Sequence, residues 1–219
     1  MTASAFDIHA AIAILRAEMP RFSKPVIDAM GGTHTPFHIL IATILSLRTK
    51  DTLTGVVAPR LFAEADTPEA MLALSEERIS ELIYPVGFYR NKARAIREIC
   101  ELLIERHGGQ VPADLDALLA LPGVGRKTAN LVLTAGFDLP GICVDTHVHR
   151  ICNRWGYLRT KTPDQTEMAL REILPASYWK EINGLLVTLG QNICHPTSPR
   201  CSACPVAALC RRVGVERSR

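Results

Sequence analysis

The sequence predicts an all-α fold. Apolar residues recur at the three- to four-residue spacing of helices, and the strict alternation that is typical of a β-strand is almost absent. Short breakers that contain glycine or proline separate the apolar segments, as expected for short helices joined by tight turns. The clearest helical segments are 7–19, 36–48 and 91–107.

Composition limits the class of protein. The chain has 219 residues, 47% hydrophobic and 21% charged, which suits one large or two small globular domains and excludes disordered and collagen-like chains. The net charge of +3 permits an anionic partner but does not demand one. The first residues do not resemble a secretory signal, and the richest apolar run, 37–47, is shorter than the roughly 20 residues that span a bilayer. We therefore expect a soluble, cytoplasmic protein with no membrane partner.

The segment LPGVGRKTAN, residues 121–130, predicts a tight turn between two helices. Pro122 cannot extend the preceding helix, and Gly123 and Gly125 are expected to adopt backbone conformations that are closed to other residues. Unpaired amides at the start of the next helix could bind a phosphate, although the same pattern also fits a simple helical corner. Lys127 favours the functional interpretation. A cation in the first turn of a helix is unfavourable, and this cost suggests that the lysine is used.

A second segment of interest is GICVDTHVHRICNRWG, residues 141–156. Asp145 and Thr146 are good residue types for capping the start of a helix. Asp145 is interpreted either as a cap alone or as the carboxylate partner of Lys127. In the second role it would orient the amine, exchange its proton and stabilise a developing sugar cation.

The C-terminal region carries the spacing C-x6-C-x2-C-x5-C among prolines and few apolar residues. Four such cysteines in an intracellular chain favour a metal site over disulfides, and the spacing leaves both zinc and a [4Fe–4S] cluster open. The other three cysteines, Cys100, Cys143 and Cys152, lie among apolar residues and are expected to be small buried thiols. The four spaced cysteines are Cys194, Cys201, Cys204 and Cys210.

These three motifs, in this order and separation, resemble the endonuclease III family of DNA glycosylases in the helix-hairpin-helix superfamily. The resemblance spans nearly the whole chain. It implies a two-lobed helix-hairpin-helix DNA glycosylase fold with a C-terminal [4Fe–4S] cluster loop. One lobe would be a helical barrel, residues 30–140, and the other would combine residues 1–29 and 141–219. The family default is a monomer that binds DNA between its lobes.

The resemblance also assigns roles. Lys127 matches the nucleophilic lysine of the family and Asp145 its catalytic aspartate. Gly123, Val124 and Gly125 match the phosphate-binding hairpin, and the four spaced cysteines match the [4Fe–4S] ligands. Adenine-removing relatives lack the lysine, so Lys127 favours a bifunctional glycosylase and abasic-site lyase. Such an enzyme forms a Schiff base and cleaves the strand by β-elimination.

Two further segments, 45–51 and 86–92, are candidates for filling the space that an extruded nucleotide leaves. Arg48 stands where the family usually has glutamine, and Phe88 where it often has an aliphatic wedge. Arginine can donate to the orphaned base, and an aromatic ring can replace lost stacking. The alternatives are that Phe88 is a core aromatic and that Arg48 caps helix carbonyls.

Basic residues cluster locally, but each one taken alone, such as Arg90 or Lys92, is expected to be a solvated surface charge. His195 and Arg200 are better candidates for DNA contacts, because the family presents the loop between its first two cysteines to the DNA backbone. His147 is a further candidate for DNA contact.

The predicted function is therefore removal of oxidised pyrimidines from double-stranded DNA that contains damaged bases or abasic sites, followed by cleavage 3′ to the abasic site. Two alternatives stay open. One is a mismatch-specific thymine or uracil DNA glycosylase, which Arg48 leaves open. The other is a non-catalytic DNA-binding module, which would have no use for Lys127 and Asp145.

Overall fold

Helices make up the regular secondary structure of the chain. The computed structural model describes residues 6–22, 25, 27, 30 and 34–219, and no β-strand occurs among them. The all-α prediction is confirmed. The α-helices of the described residues are α1 (Ile8–Glu18), α2 (Pro36–Ser46), α3 (Asp51–Phe62), α4 (Pro68–Ala73), α5 (Glu76–Ile83), α6 (Tyr89–His107), α7 (Leu115–Leu119), α8 (Arg126–Leu131), α9 (Thr146–Trp155), α10 (Pro163–Ile173) and α11 (Ile182–Asn192).

Side-chain caps fix where most of these helices begin. The hydroxyl or carboxylate of the residue before the helix accepts a hydrogen bond from a backbone amide of the first turn, which otherwise has no partner. The starts of α3, α6, α8 and α11 lack such a cap, and those of α6 and α8 lie in segments that the sequence singles out. The capping residues are Asp7, Thr35, Thr67, Ser75, Asp114, Asp145 and Thr162.

The chain divides into two compact units. The central unit is Val26–Gly141, and the terminal unit combines Met1–Pro25 with Ile142–Arg219. The sequence predicts these boundaries at 29/30 and 140/141. Residues 28, 29 and 31–33, around the first predicted boundary, lie outside the described residues.

Helix α2 forms the middle of the central unit. Its apolar run is buried on every side, and Ile39, Leu40, Ile41 and Leu45 have no exposed surface. Helices α3, α6 and α8 contact it. The richest apolar run of the sequence therefore forms a buried core helix. It is too short to span a membrane. No helix within the described residues has both the length and the apolar content needed to cross a bilayer.

The terminal unit brings the N-terminal helix α1 onto helices α9 and α11. Trp155, at the end of α9, is buried and stacks on Phe6 with ring centroids 4.8 Å apart. Ile12 and Leu15 of α1 belong to the same core as Leu186 of α11. The core therefore joins segments from both ends of the chain, and the cysteine-bearing tail follows directly from α11.

Candidate functional site

The hairpin turn between α7 and α8 has the conformation that a glycine allows. Gly123 is exposed with a φ of +73°, in the left-handed region that favours glycine. The amide of Val124 donates to the carbonyl of Leu121 at 3.2 Å and closes the turn. Val124 is itself buried, so it anchors the turn to the central unit. Its amide is engaged in the turn itself.

Gly125 corrects one sequence-based prediction. Its φ of −96° is open to any residue, so the turn does not require a glycine there. A side chain built on Gly125 would meet no described atom within 4 Å, and the same is true at Gly123. Among the described residues, no acceptor takes the amide of Gly125. The start of α8 therefore has a backbone donor without an acceptor among the described residues, at an exposed residue.

Lys127 is the second residue of α8 and is half-buried. Helix α8 runs on into a π-helical stretch, Val132–Gly136, and Thr128, Ala129 and Asn130 are buried beneath it. This packing fixes the helix start, and with it the origin of the Lys127 side chain. The lysine lies on the same turn as Gly123 and Gly125.

Asp145 caps helix α9. Its Oδ1 atom accepts hydrogen bonds from the amides of His147 at 2.8 Å and Val148 at 2.9 Å. The prediction that Asp145 is a helix cap is confirmed. Among the described residues its other oxygen, Oδ2, has no hydrogen-bond donor. The carboxylate is half-buried, so one oxygen is fixed by the helix and the other is available for chemistry.

The His147 ring lies against helix α11. A side chain on Gly190 would collide with the Nδ1 and Cγ atoms of His147, so only glycine permits this approach. The Nη2 atom of Arg150 is 3.1 Å from the same Nδ1 atom and donates to the carbonyl of Cys194 at 2.8 Å. The start of α9 is thus connected to the cysteine-bearing tail through one arginine.

The four spaced cysteines line one cavity of about 20 Å³ together with apolar residues such as Trp155 and Leu189. Arg154 donates to the Cys194 sulfur at 3.3 Å and to the carbonyls of His195 and Pro196. Burial raises the pKa of the Cys204 thiol to about 11, so a bound metal would have to displace that proton. All seven cysteines are free of disulfides.

This donor set fits an iron–sulfur cluster. Within the described ranges, no three His, Cys, Asp or Glu side chains are arranged around a single metal ion. Zinc would draw four thiolates around one ion, whereas each cysteine of a [4Fe–4S] cluster binds its own iron. The four thiols share one cavity, and four thiols are a donor set that a [4Fe–4S] cluster takes.

The loop between the first two of these cysteines is positively charged. Burial lowers the pKa of His195, and the charges of Arg200, Arg219 and Arg150 lower it further. Arg200 is exposed, and its amide donates to the carbonyl of Ile193 at 3.0 Å. The loop thus holds a local excess of cations in a chain of small net charge.

Arg48 and Phe88 come together in the central unit. The Arg48 guanidinium lies 4.5 Å from the centroid of the Phe88 ring, a cation–π stack. Both residues are exposed and have left-handed backbones, with φ of 56° and 58°. Phe88 is 55% exposed, so the alternative that it is a core aromatic is wrong.

Lys92 is a residue whose environment the sequence did not predict. It is buried rather than a solvated surface charge. Its ammonium donates to the carbonyls of Leu45 at 2.8 Å and Leu47 at 2.6 Å, and to the Thr49 hydroxyl at 3.1 Å. Lys92 thus satisfies the end of α2, the role that the sequence left open for Arg48. The helical spacing of YRNKA, residues 89–93, predicts a helix but gives no information about its partners, which lie more than 40 positions away in the sequence.

Comparisons with known proteins identify the family. A family model described as HhH-GPD superfamily base excision DNA repair protein matches residues 41–176. Endonuclease III of Thermotoga maritima is 48% identical over 169 residues, which cover 77% of this chain and 79% of the relative. The chain belongs to the endonuclease III family of the HhH-GPD superfamily.

Solved structures of the endonuclease III family share the fold. A trapped endonuclease III–DNA covalent intermediate with an estranged adenine matches with a TM-score of 0.84 and 36% identity, over 94% of both chains. A thermostable thymine-DNA glycosylase matches with a TM-score of 0.80 and 25% identity, over 92% of this chain and 94% of that one. The family resemblance and the helix-hairpin-helix fold that the sequence predicts are confirmed.

In this member of the endonuclease III family, the predicted site residues are distributed over both units of the chain. The hairpin with Lys127 and the Arg48–Phe88 stack lie in the central unit, and Asp145 with the four cysteines lies in the terminal unit. Each group is locally well formed. That Lys127 and Asp145 act on one nucleotide stays a prediction.

Proposed function

We infer that this protein is a bifunctional DNA glycosylase and abasic-site lyase of base excision repair. The observation that carries the inference is its 48% identity to an endonuclease III together with Lys127 in the hairpin that defines the superfamily. The related structure holds a covalent endonuclease III–DNA intermediate. A covalent intermediate is what an amine nucleophile would produce.

Lys127 is proposed as the nucleophile. The neutral amine attacks C1′ of the damaged nucleotide, the bond from C1′ to the base breaks, and the nitrogen loses a proton. The C1′–O4′ bond then breaks, O4′ takes up a proton, and the opened sugar is held as a Schiff base. The iminium acidifies the 2′ hydrogens, so that loss of a 2′ proton expels the 3′ phosphate by β-elimination. The packing of α8 supports this role, because it holds the half-buried Lys127 at a fixed place in the hairpin.

Asp145 is proposed as the catalytic carboxylate. Its Oδ1 atom accepts hydrogen bonds from two amides of helix α9, which orient the carboxylate. Its Oδ2 atom would stabilise the positive charge that develops on the sugar and exchange a proton with the Lys127 amine. Asp145→Asn should therefore lower base excision by about 10²-fold or more, as expected when a positioned acid–base group is lost, with DNA affinity preserved.

The hairpin is proposed to bind a DNA phosphate. Gly123 turns the chain, Val124 anchors the turn, and Gly125 is exposed and has an amide without an acceptor among the described residues. Amides at a helix start and the helix dipole both favour a negative charge. Of the three predicted hairpin contacts, the Gly125 amide is the one we expect to donate.

Borohydride trapping tests the proposed function. Reduction of the Schiff base should link wild-type protein covalently to an oligonucleotide with an abasic site. The adduct should be absent from Lys127→Gln, which keeps size and polarity but has no nucleophilic amine. Absence of an adduct in the wild type would support a DNA-binding module instead.

Cys194, Cys201, Cys204 and Cys210 are proposed to hold a [4Fe–4S] cluster. The shared cavity, the all-thiol donor set and the absence of disulfides support this assignment. When bound, the cluster crosslinks a tail that has little core of its own. Four thiolate ligands leave no open position for hydrolysis, so the role is to hold the fold and the DNA-facing loop rather than to excise the base.

Colour and metal content test the cluster. Purified protein should be yellow-brown with visible charge-transfer absorption and about four irons per chain. Cys201→Ser should lose the colour and unfold at a lower temperature. A colourless, zinc-loaded preparation with full activity would contradict the assignment.

His195, Arg200 and His147 are proposed to contact DNA. The cluster of positive charge around His195 supports the first two. His147 lies at the start of α9, two residues after the proposed catalytic carboxylate, to which its amide donates. Arg200→Ala should weaken binding to all sequences alike and reduce the salt dependence by about one charge. An unchanged salt slope would remove Arg200 from the interface.

The substrate is proposed to be double-stranded DNA that carries oxidised pyrimidines or abasic sites. A second candidate is a mismatch-specific thymine or uracil glycosylase. The similarity to a thymine-DNA glycosylase and the presence of Arg48 support testing it. Duplexes that carry thymine glycol, 5-hydroxycytosine, uracil or a G·T mismatch should be compared side by side, with fastest excision expected for the oxidised bases. We also propose a monomer that acts in the cytoplasm.

A further inference from the structure

The strongest feature outside the proposed chemistry is the buried ammonium of Lys92. It lies in the second turn of α6 and reaches helix α2, which is distant in sequence. Three acceptors surround it: the carbonyls of Leu45 and Leu47 and the hydroxyl of Thr49. A buried cation with a full set of acceptors at 2.6–3.1 Å is a built contact rather than a surface charge.

The two carbonyls belong to the end of α2. The last carbonyls of a helix have no partner within it, and the negative end of the helix dipole lies there. Lys92 therefore supplies, from α6, a donor for two carbonyls at the end of α2. The contact ties the start of one helix to the end of another.

The two segments that Lys92 connects also carry the exposed stack of Arg48 on Phe88. Arg48 follows directly after Leu47, and Phe88 precedes α6 by one residue. A side chain on Gly87 would lie 2.9 Å from the Arg48 carbonyl, so the two loops touch at their backbones as well. Two contacts thus hold together the segments that carry the stacked side chains. One is the set of hydrogen bonds from Lys92, and the other is the close approach of Gly87 to the Arg48 carbonyl.

We propose that Lys92 is a positioning residue that holds Arg48 and Phe88 as one preassembled wedge for the space left by an extruded nucleotide. This inference rests on the proposed glycosylase function. Both wedge residues have left-handed backbones that side chains rarely adopt, so they depend on their surroundings to keep that geometry. An unfastened loop would have to be ordered during base extrusion, which slows that step and leaves later chemistry unchanged.

Three variants separate this role from a general effect on folding. Lys92→Met removes the ammonium and keeps most of the buried stem. Gly87→Ala leaves Lys92 intact and pushes on the Arg48 carbonyl, so it disturbs the same joint by an independent route. Arg106→Met is the matched control, because it removes an exposed cation from the far end of the same helix.

Two activities and one optical signal are measured for each variant. Excision of a damaged base from a duplex under single-turnover conditions requires extrusion and a wedge. Cleavage at an abasic site in single-stranded DNA requires neither. Fluorescence of 2-aminopurine placed opposite the damaged nucleotide reports whether the wedge has separated that base from its neighbours.

We expect Lys92→Met and Gly87→Ala to slow duplex excision by about tenfold or more, and to leave single-strand cleavage within about twofold of wild type. The 2-aminopurine signal should fall with excision, and Arg106→Met should behave as wild type. Equal loss of both activities, or wild-type excision by both variants, would overturn the inference. Should Lys92→Met fail to fold, Gly87→Ala decides by the same criteria. A wild type inactive on both substrates would instead overturn the proposed function.

Discussion

In the described part of the central unit, the starts of α3, α6 and α8 lack a capping side chain, and the starts of α8 and α6 differ most in what surrounds them. At the start of α8, Gly123 and Gly125 face open space, and the Gly125 amide has no acceptor among the described residues. At the start of α6, Phe88 is stacked by Arg48 and the neighbouring Gly87 touches the Arg48 carbonyl. One start is open and the other is crowded.

This difference indicates which kind of substitution should impair each helix start. The open start of α8 is fixed by its own turn, so its function should depend on the chemistry of its side chains and amides. The crowded start of α6 holds a non-glycine residue in a left-handed backbone, which costs about 1 kcal/mol or more. Its geometry should therefore depend on long-range packing, above all on Lys92.

The largest effect is expected at the open start. Lys127→Arg keeps the positive charge but replaces a nucleophilic amine by a guanidinium that stays protonated. Excision and strand cleavage should both fall by about 10³-fold or more, with DNA affinity nearly unchanged. Rates are measured under single-turnover conditions and affinity by fluorescence anisotropy. An active Lys127→Arg would mean that this helix start needs only charge.

A smaller effect is expected at the crowded start. Phe88→Ala removes the exposed ring, and the stacking that it can supply is about 1–3 kcal/mol, or about five- to 150-fold in rate. Duplex excision should fall by that factor, whereas cleavage of a preformed abasic site in single-stranded DNA should not change. A parallel loss in both assays would assign Phe88 to folding rather than to extrusion.

Arg48→Gln should alter specificity more than rate. A guanidinium can donate two hydrogen bonds to guanine, and glutamine pairs better with adenine. The ratio of excision opposite guanine to excision opposite adenine should fall by about fivefold, which corresponds to about 1 kcal/mol. Loss of rate with no change in that ratio would show that Arg48 only supports the Phe88 ring.

The smallest effect concerns pH and the Lys92 contact. Burial lowers the pKa of Lys92 to about 8, below the ordinary lysine value of about 10.4. Between these two values the unfolded chain holds a proton that the folded chain has released, so this residue makes the free energy of unfolding rise with pH. Below about pH 8 the cost of burying the charge is fully present.

Urea unfolding of wild type and Lys92→Met at pH 7.5 and 9.5 measures this contribution. The stability of wild type relative to the variant should increase at the higher pH. A difference that stays constant between the two pH values would mean that Lys92 releases no proton in this window.

The sequence predicts the features that short-range physics decides. Helical spacing, the turn at Gly123 and the cap at Asp145 each involve residues within a few positions of one another, and all three are as predicted. Gly125 is the exception, since its φ of −96° does not need a glycine. Gly125 is distinguished by the open space around it, since an added Cβ atom would meet no described atom within 4 Å, and not by its backbone angle.

Contacts between distant segments could not be predicted in the same way. Lys92 is typical of a surface cation when only its neighbours in sequence are known, and its carbonyl partners lie on another helix. The stack of Arg48 on Phe88 and the approach of His147 to Gly190 are likewise set by packing. No periodicity along the chain encodes which loops touch.

Mapping the trapped adduct shows directly whether Lys127 is the nucleophile. After borohydride reduction with an abasic-site oligonucleotide, nuclease and protease digestion followed by mass spectrometry locates the modified residue. We expect a reduced deoxyribose remnant on the ε-nitrogen of Lys127. A remnant on another lysine or on the N-terminal amine, with Lys127 unmodified, would contradict it.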